Sequence, residues 1–422
     1  MKKIGIIGSG QLGRMTIEEA RKLLCHIEVL SPEYPAPAAE LADETIVGSL
    51  MDYDAVMELA DRVDVLSYEI EHVNIEALRA VERSGKPVIP PAEILALIQD
   101  KASQKRVMDQ AGVPTAGWCL PGAEAAEGRS TGSGQAVAGA VGLVATAADI
   151  EAAAVGLGGF PLVQKSRRGG YDGRGVAVLR SSDDLRPAAE GGRLLAVPSF
   201  LERYVDFSKE LAVMVALDGQ GKLATWPCVE MVFDERVNLC DSVLMPARVS
   251  AAVAVEAERV AKQMVEALAA AARLVAQRDG LDITVAGVFA VELFLDKAGR
   301  VLVNETAPRP HNSGHLTCEA CITSQFSQYY RILSGYPLGA TTQVMPAMML
   351  NLLGELDADG EPVYDGLALA LAVPGVSVHL YGKRLVKPFR KMGHLTALGA
   401  TIEEAISRAN QARAAIKVRS KK

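Results

Sequence analysis

The chain has 422 residues, 49% hydrophobic and 23% charged, with a formal net charge of −7. That length exceeds a single ordinary core and implies two or three domains of a soluble globular protein. The acidic balance, without a long basic stripe, excludes a general nucleic-acid binder, and no apolar run is long enough for a signal peptide or a membrane span.

Residues 1 to about 100 alternate strand and helix patterns. Lys3 to Ile7 reads as a buried strand, Leu12 to Leu24 as a helix and Ile27 to Leu30 as a second strand. Val56 to Arg62 is predicted helical, Val63 to Tyr68 a strand, Ile75 to Ser84 a helix and Pro87 to Ile89 a strand. This is the pattern of a parallel, doubly wound α/β unit. Between the first strand and helix, Gly8-Ser9-Gly10-Gln11-Leu12-Gly13 fits GxGxxG, with Glu33 about 20 residues on. Three readings stay open for it: a dinucleotide fingerprint, a turn that binds some other phosphate at a helix N-terminus, or close packing alone.

Lys101 to Ala111 reads as a helix, and residues 121–148, rich in Ala, Gly and Ser, as a surface insertion. Next comes Lys165-Ser166-Arg167-Arg168-Gly169-Gly170-Tyr171-Asp172-Gly173-Arg174-Gly175, flanked by the apolar runs 160–163 and 176–179. A Walker loop or Rossmann turn runs from strand into helix; these glycines join two strands. They suit a flap whose N–H groups meet phosphate oxygens, with Lys165 at its base, or else an ordinary hairpin turn. The apolar segment Phe200 to Val213 carries the isolated carboxylates Glu202, Asp206 and Glu210, a pattern compatible with an adenosine pocket or with exposed strand acids.

Strands dominate to Leu244, followed by a long helix, Ala251 to Gln277. A strand pair follows, Ala286 to Leu295 and Arg300 to Asn304. With an even hairpin loop, Glu292 and Glu305 face each other, an arrangement that is destabilising unless a cation lies between them. Oxygen-only ligands favour Mg²⁺, or Mn²⁺ as a substitute. A register one residue off would instead leave one glutamate in solvent. A helix through Cys318–Ser334 is predicted, then a small β-rich tail ending in a helix, Ile402 to Ala415. Six cysteines make no disulfide framework, and Cys318 and Cys321, though a CxxC pair, read as bystander thiols in a reducing cytoplasm.

Assembled, these residues resemble the ATP-grasp ligases, and within them the N5-carboxyaminoimidazole ribonucleotide synthetase family of purine biosynthesis. The resemblance runs over nearly the whole chain. It rests on the glycine turn, Tyr68-Glu69-Ile70-Glu71-His72-Val73, Gln99-Asp100-Lys101 and the 169–175 run. It rests above all on Asn304-Glu305-Thr306-Ala307-Pro308-Arg309-Pro310-His311-Asn312-Ser313-Gly314-His315, with Thr323-Ser324-Gln325-Phe326 and Arg390-Lys391-Met392-Gly393-His394 downstream.

The resemblance implies a multidomain α/β and α+β fold. It would hold a preATP-grasp doubly wound parallel sheet (1–100), a two-part ATP-grasp domain (101–340) and a small C-terminal β-rich domain (345–422). ATP would contact Lys101 and Lys165 and be covered by the loop of Gly170, Gly173 and Gly175. Glu202, Arg203, Tyr204 and Val205 would hold adenine, Glu210 the ribose, and Glu292 with Glu305 the Mg²⁺ (or Mn²⁺), assisted by Asn304. Tyr171, Asp172, Arg174 and Arg309 would serve the carboxylation step. Gln11, Leu12, Glu71, His311, Asn312, Ser313, Lys383 and Arg390 would bind the ribonucleotide. The implied reaction joins ATP, bicarbonate and 5-aminoimidazole ribonucleotide through carboxyphosphate, in a cytoplasmic homodimer.

The chain departs from the family pattern at Lys101, where many members carry arginine, at Val176, where glutamine is frequent, and in 229–238, which lacks an expected histidine. His311 and His315 fit substrate positioning better than general-base work, and His26, His72 and His379 read as filler. Another ATP-grasp purine ligase, such as a formate-dependent glycinamide ribonucleotide transformylase, shares the ATP machinery. A nicotinamide-dependent oxidoreductase would leave Lys165 and the glutamate pair idle, and a nucleotide-gated binding protein would have kept the fold without turnover.

Overall fold

The computed structural model describes residues 2–122, 144–169, 175–234 and 239–421. Gly170, Tyr171, Asp172, Gly173 and Arg174 lie outside the described residues, as does most of the expected insertion.

Strands β1 (Lys3–Ile7), β2 (His26–Ser31), β3 (Glu44–Val47) and β4 (Val65–Tyr68) pair in parallel in the order β3-β2-β1-β4. Helices α1 (Gln11–Ala20), α2 (Tyr53–Arg62) and α3 (Ile75–Arg83) connect and cover them, as the α/β spacing predicts. Strand β3 has no apolar run to announce it: only Ile46 is buried. The strand expected at Pro87 to Ile89 shrinks to a single bridge, Leu66 to Val88, because prolines 87 and 90 cannot donate to a longer ladder. The helix expected to reach Leu24 stops at Ala20 and closes in a 3-10 turn, with Leu24 left-handed at φ 52°.

Helices α4 (Ala92–Gln99) and α5 (Lys101–Gln110) lead into a small antiparallel sheet. Its strands are β5 (Trp118–Cys119), β6 (Leu162–Ser166), β7 (Val176–Leu179) and β8 (Ser199–Arg203), in the order β5-β8-β6-β7, with α6 (Ala147–Leu157) against them. The glycine run does join two strands: Lys165 pairs with Val176 across β6 and β7. Strands β9 (Phe207–Leu217), β10 (Leu223–Thr225), β11 (Val229–Asp234) and β12 (Leu239–Met245) begin a larger sheet. Helix α7 (Ala251–Arg278) starts at Ser250, whose hydroxyl accepts the Val253 N–H. It buries Ala257, Val260, Ala261, Met264, Val265, Leu268, Ala269, Ala272 and Ala276, a stripe at helical spacing that packs on that sheet's underside.

Strands β13 (Gly287–Asp296) and β14 (Val301–Ala307) form the edge beyond β9. The single helix expected at Cys318–Ser334 is two, α8 (Thr317–Ala320) and α9 (Gln325–Ser334). Cys321 between them is extended and bridges Gln343, while Ser324 caps α9. The C-terminal segment contributes β15 (Ala347–Leu353), β16 (Pro362–Asp365), α10 (Leu367–Leu371), β17 (Val376–Leu380), β18 (Lys391–Leu398), α11 (Ile402–Ala415) and β19 (Lys417–Ser420). Three of its strands continue the larger sheet, whose path is β14-β13-β9-β11-β12-β15-β18-β17, so the tail shares that sheet. Only β16 and β19 pair by themselves.

Candidate active site

The small sheet and the larger one meet where charged side chains converge. On β13 and β14 Glu292 lies directly opposite Glu305, but not through an even hairpin loop: five residues separate the pair Leu295–Val301, a register that alone would set Glu292 against Asn304. A bulge makes the shift, for the neighbouring pair is Leu293 with Val303, leaving Asn304 as the extra residue and bringing Glu305 opposite Glu292. That bulge re-aims Asn304 toward the face that Glu305 occupies, where its Oδ1 accepts from Lys165 Nζ at 2.8 Å. Lys165 reaches across from β6, and Lys101, at the first turn of α5, lies 2.6 Å from Glu305 Oε2. His311 Nε2 stands 3.5 Å from Glu292 Oε1.

The electrostatics follow from this crowding. Burial, then the Glu305 and Glu210 carboxylates, push Glu292 well above the usual carboxylate range. Burial also opposes ionisation of Glu305, but Lys101 and Lys165 outweigh it and hold that carboxyl low. Lys101 loses solvation, yet Glu305 more than compensates and raises it. Glu210, on β9, is pushed up to about 7 by burial, against the pull of Lys165. A carboxylate pair of this kind, with one member reluctant to ionise, suits a hard divalent cation. Among the described residues no three His, Cys, Asp or Glu side chains cluster as a self-contained metal cage. Two facing carboxylates, oxygen donors only, fit Mg²⁺, which retains water and phosphate ligands.

Glu202 departs from expectation. Its carboxylate does not face an open pocket: its side chain is 4% exposed, between Lys105 and Lys165. Any contact to a base from this segment falls to the backbone and to the neighbouring Arg203, Tyr204 and Val205, of which Arg203 and Tyr204 are exposed. Gly175 closes the near end of the glycine run, its carbonyl accepting from Ser166 N at 2.8 Å. Its φ of 74° is a left-handed conformation that favours glycine.

The remaining expected residues gather beside this centre. Arg309 is ion-paired with Glu71 at 2.8 Å. The 311–314 turn is organised by Gln325, which accepts from His311 N and donates to its carbonyl. Asn312 and Asn351 exchange hydrogen bonds of 2.9 and 3.2 Å. Ser313 is fully buried, with its hydroxyl against His311 Nδ1, so it shapes the turn. Burial, then the Arg309 and Lys391 charges, keep His311 well below the usual histidine range, and His315 is depressed first by burial as well. Both shifts favour the neutral ring, which fits positioning. Leu12 is also inward, packed with Met15, Phe326 and Tyr381, while Gln11 opens α1 half-buried beside it. Lys383 and Arg390 share a cavity of about 850 Å³ with Arg384, Lys387, Glu33 and Glu361. It lies between the 382–390 loop and the turn after β2, and its cations suit a phosphate group.

Four contributors were not foreseen. Arg167 makes a two-pronged ion pair with Asp100 (2.7 and 3.2 Å), and its carbonyl accepts from Lys101 N, tying the glycine run to α5. Lys105 lies one helical turn beyond Lys101, a spacing that could have exposed it. Asn351 belongs to a distant strand and has no sequence signal. Glu69 accepts the N–H groups of Gly10 and Gly13 at the start of α1. A Cβ at Gly8, where φ is +113°, would lie 2.5 Å from Glu69 Cγ. The glycines of the GxGxxG turn therefore admit an internal carboxylate where a dinucleotide would place its pyrophosphate, which removes the nicotinamide reading. His379, expected to be filler, is instead ion-paired with Glu319 at 2.6 Å and stacked on His394 at 4.5 Å.

Comparison with known proteins covers all three regions. Residues 1–99 match the ribonucleotide synthetase preATP-grasp domain, 139–326 the ATP-grasp domain and 347–408 the phosphoribosylaminoimidazole carboxylase C-terminal domain. The chain is 35% identical to the N5-carboxyaminoimidazole ribonucleotide synthase of Synechococcus elongatus, over 94% of this chain and 89% of that protein. The crystal structure of N5-carboxyaminoimidazole ribonucleotide synthetase from Thermotoga maritima superposes with a TM-score of 0.82, at 38% identity and full coverage of both chains. The Aspergillus clavatus N5-carboxyaminoimidazole synthase in complex with ADP and 5-aminoimidazole ribonucleotide gives a TM-score of 0.80 at 31% identity, covering 98% of each chain.

Proposed function

The chain belongs to the N5-carboxyaminoimidazole ribonucleotide synthase family of ATP-grasp ligases, and from that premise we propose how its residues divide the work. It is an ATP-dependent carbon–nitrogen ligase that carboxylates 5-aminoimidazole ribonucleotide in purine biosynthesis. The single observation that carries the assignment of roles is the Glu292–Glu305 cross-strand pair, with Lys101, Lys165 and the bulged Asn304 converging on it.

Bicarbonate is the carbon source in this reading. It is a poor electrophile, and transfer of the ATP γ-phosphoryl group to its oxygen gives carboxyphosphate and ADP. The amine of the ribonucleotide then attacks the carboxyl carbon, or CO₂ released from it. The N–C bond forms, phosphate leaves with the C–O bonding pair, and the amine loses a proton. Lys101 and Lys165 neutralise phosphate oxygens, and by the resemblance the glycine run between β6 and β7 would cover them and keep water from a short-lived intermediate. Glu292 and Glu305 would hold Mg²⁺ (or Mn²⁺), which when bound screens the charge on the transferring phosphoryl group. Glu210 takes the ribose hydroxyls, and the backbone of 202–205 takes the base.

Arg309, oriented by Glu71, lies on the ribonucleotide side together with the 311–313 turn. Lys383 and Arg390 grip the ribonucleotide phosphate in the basic cavity, a point charge and a fork complementing each other. The roles of Tyr171, Asp172 and Arg174 rest on the sequence resemblance alone. So does the homodimer, while the cytoplasmic setting is read from six free cysteines, which suit a reducing compartment.

The test is phosphate release from ATP with bicarbonate plus 5-aminoimidazole ribonucleotide, against formate plus glycinamide ribonucleotide. Release with the first pair only, and its loss when bicarbonate is stripped, is the expected outcome. Release driven by the formate pair would transfer the chain to the transformylase reading.

A further inference from the structure

Glu202 is a buried anion with two cations, and the two differ in what else they can do. Lys165 Nζ, 2.5 Å from Glu202 Oε2, also binds Asn304 and so stands at the edge of the phosphate site. Lys105, salt-bridged to Glu202 Oε1, has a side chain only 3% exposed. Its ammonium also donates to Thr115 Oγ1 at 2.5 Å, and that hydroxyl donates to the Val303 carbonyl at 2.7 Å. Lys105 is thus held on all sides by protein, on a helix whose first residue, Lys101, contacts Glu305.

We infer that Lys105 is a positioning residue: it is the resident counter-ion that keeps Glu202 anionic and in place when Lys165 turns from Glu202 to the nucleotide phosphates. This rests on the ATP reading above. A buried carboxylate deprived of its cations becomes neutral by taking a proton. Strand β8, which carries Glu202 into the 202–205 segment, would then lose the charge that ties it to α5. With Lys105 in place, Lys165 can leave without any proton moving. The charges facing this triad from neighbouring elements are Lys101 on α5, Glu305 on β14 and, beside Lys165, Glu210 on β9. The residues paired with Glu202 on β5 and β6, Trp118 and Val163, are uncharged. The titration tendencies agree: burial opposes the Glu202 anion, yet Lys105 and then Lys165 hold its carboxyl down to about 2, and burial pulls the Lys105 ammonium below its ordinary range.

The measurement is titration calorimetry of Mg-ADP binding in phosphate and in Tris at pH 7, which counts protons taken up per nucleotide. The wild-type value is the reference. K105M should take up between about half and one proton more than wild type, and its affinity should weaken as pH rises from 6 to 8, approaching tenfold per unit. K105M/E202Q, which has no buried anion to protect, should return to the wild-type proton count and pH dependence. If K105M binds with the wild-type proton count and pH profile, Lys105 is only packing and the proposal fails. If K105M does not fold, recovery of folded, nucleotide-binding protein in K105M/E202Q supports the counter-ion role, and failure of the double variant overturns it. Absence of Mg-ADP binding to wild-type protein would instead strike at the ATP reading.

Discussion

Glu305→Gln separates the catalytic claim about the glutamate pair from its structural cost. In the fold, the substitution removes one ion pair, to Lys101, and relieves the repulsion that keeps the Glu292 carboxyl opposite from ionising. Its side chain is 38% exposed, so the lost pair is worth about 0–1 kcal/mol and the relieved repulsion about 0.2–1 kcal/mol in the other direction. The net change in stability should stay within about 1 kcal/mol, roughly 2–4 °C in Tm for a domain of this size. In the reaction the carboxylate is asked to hold a cation against a phosphoryl group in transfer. Loss of one preorganised electrostatic contact typically lowers turnover by about 10²–10³. A thermal melt beside a phosphate-release assay with saturating Mg-ATP, bicarbonate and 5-aminoimidazole ribonucleotide reads both quantities. Turnover within tenfold of wild type would refute the metal-holding role. A Tm loss beyond about 10 °C would show that the carboxylate mainly holds the fold together.

Three further outcomes can be measured by urea or thermal unfolding. Gly8→Ala should cost about 2–3 kcal/mol, because the residue sits at φ +113° and its Cβ would strike Glu69 Cγ; Gly10→Ala, which meets only the carboxylate tip at 3.0 Å, should cost less, and equal penalties would refute the close-approach argument. Glu82 is buried beneath the start of α4, where it accepts the Ala92 N–H, and burial pushes it up to about 7; its folded value exceeds the unfolded one, so stability is lost as pH rises from about 4.5 through 7. Glu82→Gln should therefore be near neutral at pH 4 and stabilise by about 1–3 kcal/mol at pH 8, and the same effect at both values would contradict the assignment. Burial works against charging His379, but Glu319 raises it above the ordinary histidine range, so its pair stabilises the fold below pH 6.5 and fades as pH rises through that raised value. His379→Asn should cost about 1 kcal/mol at pH 6 and much less at pH 9, and a pH-independent penalty would count against the ion pair.

Local pattern sufficed wherever one short stretch of chain carried the whole cause. Period-two and period-3.6 hydrophobicity placed β1, β2, β4 and α7 within a few residues, whereas the five-residue 296–300 turn would have set Glu292 opposite Asn304, and only the bulge brought Glu305 there. The same kind of local reading could not anticipate β3, whose four residues bury a single side chain, or the break at Cys321, because both depend on partners elsewhere in the chain. The bulge at Asn304, the Glu69 carboxylate within the glycine turn, the Asn312–Asn351 exchange and the Lys105–Glu202–Lys165 triad are likewise products of packing. Each joins segments tens to hundreds of residues apart, and a buried polar group takes its partner from whatever the fold delivers within about 3 Å. The residue types and their approximate strand or helix address were therefore written in the chain. Which cation meets which carboxylate, and which of them stays dry, was decided only when the sheets closed on one another.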